Sequence, residues 1–141
     1  MRARLLLVFL LAASVLAVAA CGESKEDKAK KQVCSARSNI QAEVNKLKSL
    51  TPATATTSGI KDSLNSIKSD LQKITSAQSD LSAQRKQEVE QANQKFASEF
   101  QSILTNLGTN LSISNAQAQL QTALQQLASA YQQSFAKINC S

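Results

Sequence analysis

The stretch on which the fold turns is Ile60-Lys61-Asp62-Ser63-Leu64-Asn65-Ser66-Ile67-Lys68-Ser69-Asp70-Leu71-Gln72-Lys73-Ile74. Its apolar residues Ile60, Leu64, Ile67, Leu71 and Ile74 alternate at intervals of four and three, and every residue between them is polar. That is one face of an amphipathic α-helix. A stripe this clean needs other stripes to cover it, because an isolated helix of this length is marginal in water.

The covering stripes lie on both sides. Towards the N-terminus, Val33, Ala36, Ile40, Val44, Leu47 and Leu50 keep helical spacing up to Thr51-Pro52, where the proline pushes its predecessor out of helical geometry. A Thr/Ala-rich loop runs from there to Ser58-Gly59, with Ser58 read as the cap of the second helix. Towards the C-terminus, Val89, Ala92, Phe96, Phe100, Ile103 and Leu107 form a third stripe that ends at Gly108. A fourth carries Leu120, Leu124, Leu127, Tyr131, Phe135 and Ile138, entered through Ile113, Ser114 and Gln117 as a capping box.

Residues 75–88 decide between two all-α layouts. No Pro or Gly interrupts them, so a single helix of about 50 residues, with two short helices packed along it, is one solution. The apolar stripe lapses there, however, and Ser79, Asp80 and Ser82 are all competent N-caps. A break near 78–82 yields four helices of similar length that bury more per residue. A four-helix up-down bundle is therefore the expected architecture. Three glycines and one proline in 141 residues exclude a turn-rich β-fold, and the length accommodates one domain.

The chemistry of the side chains is sparse. The chain has no His, which removes the commonest acid–base group and metal ligand. No CxxC, ExxH or Gly-rich phosphate loop is present, so no metal, cofactor or enzymatic activity is expected. Ser58-Gly59-Ile60-Lys61 has the SxxK letters, but it sits at a helix start where a cap explains the serine. Sixteen Lys and Arg against ten Asp and Glu give a formal charge of +6. The lysines are dispersed and not interleaved with aromatics, which argues against nucleic acid. Phe96 and Phe100 are one turn apart, as are Tyr131 and Phe135. The four rings are a candidate apolar pocket for a lipid or other hydrophobic ligand, with ordinary core packing as the plainer expectation.

The N-terminal segment reads as an address. Arg2 and Arg4 precede an apolar run from Leu5 to Ala20, too short for a membrane-spanning helix, and residues 1–20 are read as a signal peptide. Val18-Ala19-Ala20-Cys21-Gly22 resembles the lipobox of bacterial lipoproteins. The resemblance implies cleavage before Cys21, diacylglycerol on its sulfur, and a lipid-anchored protein on the extracytoplasmic side of the cell membrane. Ordinary cleavage after Ala19 or Ala20, giving a soluble secreted protein, is the alternative. Three cysteines is an odd number for an exported chain. Lipid on Cys21 leaves Cys34 and Cys140 as one pair near the two ends of the domain, and a disulfide between them is expected.

Residues 21–32 are then a charged tether and residues 33–141 the bundle. Ile113-Ser114-Asn115-Ala116-Gln117 is also similar to the LTxxQ motif of small helical periplasmic stress chaperones, departing from it at the first position. The sequence thus points to a non-catalytic module of the cell envelope with an unidentified protein partner. The alternative is a chaperone-like or lipid-binding module for hydrophobic cargo.

Overall fold

A computed structural model describes residues 22–51, 53–110 and 117–141. Cys21 and the signal-like segment, Pro52 as a helix stop, and the Ser114 cap lie outside the described residues. Four helices make up the fold: α1 (Lys25–Lys48), α2 (Thr57–Ala77), α3 (Ala83–Asn110) and α4 (Gln117–Phe135). They form the up-down bundle expected from the stripes. Each helix packs on two neighbours, α1 on α2 and α4, and α3 on the same two.

The break between α2 and α3 falls where the stripe lapses. A 3-10 turn, Gln78–Asp80, follows Ala77, and Leu81 is extended. The Ser82 carbonyl accepts the first bond of α3, from Lys86 N at 2.8 Å, which places Ser82 at the cap position. Leu81, isolated in the sequence, is buried and closes the core beneath this turn. One long rod is thereby replaced by two helices whose stripes face each other.

Three boundaries differ from the sequence reading. The segment read as a tether joins α1 from Lys25, so the helix begins eight residues before Val33. Ser24 Oγ accepts from Asp27 N at 3.0 Å and donates to the Asp27 carboxylate at 2.6 Å, closing a reciprocal cap. Ala29 then reaches the core and fixes the added turns by burial. At α2 the cap is Thr56, whose Oγ1 accepts from Gly59 N at 3.1 Å; Ser58 lies exposed in the first turn instead. At α3 the helix runs on through Gly108 to Asn110.

The core is continuous across all four helices. Ile60, Ile67 and Ile74 of α2 are fully buried, alongside Val33, Ile40 and Leu47 of α1, Val89 and Phe96 of α3, and Leu127 and Phe135 of α4. Each such side chain contributes about 1.5–3 kcal/mol relative to exposure. After Phe135 the chain leaves the helix, and Ala136–Ser141 continues as a tail along α1.

Candidate functional site

The tail and α1 meet along one line. Lys30, Cys34 and Arg37 are spaced four and three apart, so they project from one stripe of α1. All three hold the C-terminal part of the chain. Cys34 and Cys140 are joined as a disulfide with Cα atoms 5.5 Å apart, within the usual span, across a sequence separation of 106. Lys30 Nζ donates to the Ser141 carbonyl at 2.8 Å, and the Arg37 guanidinium donates to the Ile138 carbonyl. Tyr131 OH donates to the Arg37 carbonyl at 2.9 Å. The tail therefore runs antiparallel to α1, fastened at each helical turn by a covalent bond or a hydrogen bond.

Tyr131 illustrates how burial and bonding combine here. Its ring is 5% exposed, and loss of solvent raises the hydroxyl pKa above the ordinary 10.0. The nearby Arg37 guanidinium, as a side-chain donor and as a charge, offsets part of that rise.

A small cleft of about 100 Å³ opens beside the disulfide. Val33, Leu81, Val89 and Ile138 form its apolar floor, and Lys30 and Arg85 stand at its rim. Across the same end, Arg85 Nε approaches the Glu26 carboxylate at 4.0 Å, linking the starts of α1 and α3. Lys31 Nζ pairs with Glu23 at 2.6 Å, and this partner raises the Lys31 pKa. The Ser24 hydroxyl bond, helped by Lys31 and Lys30, holds the Asp27 carboxyl below its ordinary value.

The four rings offered as an apolar pocket form a packed cluster. The Phe96 ring lies 6.2 Å from Phe100, 5.8 Å from Tyr131 and 5.4 Å from Phe135 between centroids, the last two edge-on. Tyr131 and Phe135 are 5.2 Å apart. Exposures run from 0% for Phe96 and Phe135 to 5% for Tyr131. The rings fill one another's space, and this is interior packing.

Polar groups inside the bundle escaped the sequence reading. Asp70 is buried and pairs with Lys73 Nζ at 2.7 Å. Asn93 Nδ2 donates to Thr75 Oγ1 at 3.0 Å and so ties α3 to α2. Ser63 Oγ, Asn93 Oδ1 and Ser134 Oγ are buried with no hydrogen-bond partner. Periodicity carried a signal for two of these residues. Ser63 and Asp70 are seven apart and flank the Ile60–Ile67–Ile74 row, on the shoulder that must also be covered. Among the described residues, no group of three or more His, Cys, Asp or Glu is placed to hold a metal.

Fold and site together define a small helical bundle closed by one disulfide, with its C-terminal tail fastened along the first half of α1. Comparison of the chain with known protein families, with curated proteins and with solved structures gives no match.

Proposed function

We propose that the protein is an exported bacterial lipoprotein. In this reading it is anchored to the extracytoplasmic face of the cell membrane through diacylglycerol on Cys21, and it serves as a non-catalytic interaction or structural module of the envelope. The observation that carries the reading is the cysteine arrangement. Cys34 and Cys140 are bonded to each other, which leaves Cys21 as the odd thiol, and it stands directly after Val18-Ala19-Ala20. Two or three acyl chains on one residue make a stable anchor, since each buried methylene contributes about 0.8 kcal/mol. The inward-facing rings support a closed module over a cargo carrier, because a cradle for hydrophobic cargo needs exposed apolar surface.

Growth of the producing cell with an alkyne-bearing fatty acid tests the anchor. The wild-type chain takes up label, Cys21→Ala takes up none, and the Cys34→Ala/Cys140→Ala double variant keeps it. Absence of label from the wild type, or its persistence in Cys21→Ala, overturns the reading.

A further inference from the structure

We propose that residues 136–141 form a strap that a thiol reductant, a small thiol or a dithiol protein, releases from the bundle, uncovering an apolar cleft that Ile138 plugs. The proposal rests on the Cys34–Cys140 disulfide and is independent of lipid on Cys21. Its first support is how little else holds the strap. Ile138 is the one buried side chain after Phe135; Ala136, Lys137, Asn139, Cys140 and Ser141 are all exposed. The remaining joints to α1 are the bonds from Arg37 and Lys30 to the Ile138 and Ser141 carbonyls, both made by half-buried side chains that water also reaches. Ordering this segment costs conformational entropy at every backbone unit, and one apolar anchor with two such bonds does not offset it. The covalent bond supplies the difference. The bundle does not depend on the strap in the same way. Ile40, Ile60, Ile67, Phe96, Leu127 and Phe135 all precede it, and each is fully buried.

Access is the second support. Cys140 is exposed and Cys34 half-buried, so an attacking thiolate meets the Cys140 sulfur first. Attack there forms a mixed disulfide on Cys140 and breaks the S–S bond, and Cys34 leaves as a thiolate. A second thiol of the reductant then attacks the mixed disulfide and frees Cys140. The reductant departs as a disulfide, having given two electrons and two protons to the two cysteines. With the strap gone, Lys30 and Arg37 lose their carbonyl acceptors. They stand one turn to either side of Cys34 on the same stripe of α1, where their charge favours the thiolate; Glu88 is the acid bordering the same cleft. Departure of Ile138 leaves Val33 of α1, Leu81 of the turn and Val89 of α3 as an open apolar floor.

The test uses the purified oxidised protein in neutral buffer without denaturant. Dithiothreitol is added at rising concentrations. Alkylation followed by mass reads bond loss, circular dichroism reads helix content, and hydrogen exchange reads backbone opening. The expected result is reduction at a rate proportional to dithiothreitol, with helix content unchanged. Exchange should become severalfold faster at residues 136–141, with no comparable rise in the middle of α1 to α4. A hydrophobic dye should brighten on reduction. Oxidised Ile138→Ala, which keeps the bond and lacks the plug, should brighten it without reductant. Glutathione trapped by acid after brief exposure should sit on Cys140. A reduction rate that stops rising with dithiothreitol, at the rate of global unfolding, overturns the strap, because the bond is then reached only through unfolding. Loss of helix on reduction overturns it too, making the bond a condition of the fold. A reduced tail that exchanges as slowly as the oxidised one overturns release. Released tail without dye brightening overturns the uncovering of the cleft, and glutathione on Cys34 overturns the order of attack.

Discussion

Two regions of the bundle are built on different principles. Along the first half of α1, residues far apart in sequence are fastened to each other: Tyr131 to Arg37, Arg37 to Ile138, Cys34 to Cys140 and Lys30 to Ser141. At the opposite end, the described connection between α1 and α2 is held by near neighbours. Ala55 N bonds to the Thr51 carbonyl at 2.8 Å, Thr51 N to Thr54 Oγ1 at 2.9 Å, and Thr56 caps α2 through Gly59 N. Local bonds shape a loop but do little to hold the first and last parts of the chain together. The difference teaches where the unfolded chain is constrained: one cross-link near the domain's ends shortens almost the whole polymer.

The largest expected effect comes from removing that cross-link. The Cys34→Ala/Cys140→Ala double variant should lose about 3–5 kcal/mol in urea unfolding, as expected for a loop of about 100 residues. Hydrogen exchange should show the tail after Phe135 opening before the Ser49–Thr56 loop. If the loop at the opposite end opens first, the division between the two regions is wrong.

Tyr131→Phe comes next and sharpens the comparison, because it removes a single long-range joint and leaves the ring. A loss of about 1 kcal/mol at neutral pH is expected, since the Arg37 carbonyl forfeits its side-chain donor. The variant should also change the alkaline limb. The folded hydroxyl has its pKa raised above the ordinary 10.0, chiefly by burial. Its contribution is therefore fully present below that value. As the pH rises further, the unfolded chain gives up its proton first, and the contribution is lost through the folded pKa. Thermal melts between pH 9 and about 11 should fall more steeply for the wild type than for Tyr131→Phe.

The opposite end offers effects no larger than that. Thr56→Ala should remove about 1 kcal/mol by deleting a cap, without touching any joint to the tail. Gly59→Ala ordinarily stabilises a helix by about 0.5–1 kcal/mol. Here the added methyl would meet Thr56 Oγ1 at 2.9 Å, the same oxygen that caps the helix. The gain should be absent in the wild type and appear in the Thr56→Ala background. Additive behaviour in urea titrations of the four proteins would show that the two positions do not share this oxygen.

Much of the architecture was legible because it depends on periodicity. Ile60, Leu64, Ile67, Leu71 and Ile74 define a face, and such a face demands others. The break at 78–82 was visible as a lapse in that pattern together with three capping residues. The Cys34–Cys140 pair followed from counting. The start of α1 lies upstream of its apolar stripe because Lys25–Gln32 offers a single apolar contact, Ala29, among charged and polar residues. The Ser24–Asp27 cap held the missing clue. The tail joints were not legible. They use backbone carbonyls of Arg37, Ile138 and Ser141, which leave no mark on residue type, and they become visible only once α4 lies beside α1. Asp70 and Asn93 were hidden because polar letters were assigned to outer faces, although both are buried and reach partners, Lys73 and Thr75, at the surface of α2.

Intact mass measures both the proposed anchor on Cys21 and the Cys34–Cys140 staple. Protein extracted from membranes is alkylated with and without prior reduction. The expected mass is that of residues 21–141 plus diacylglycerol, with Cys34 and Cys140 alkylated only after reduction. An unlipidated mass with three thiols open to alkylation before reduction would contradict it.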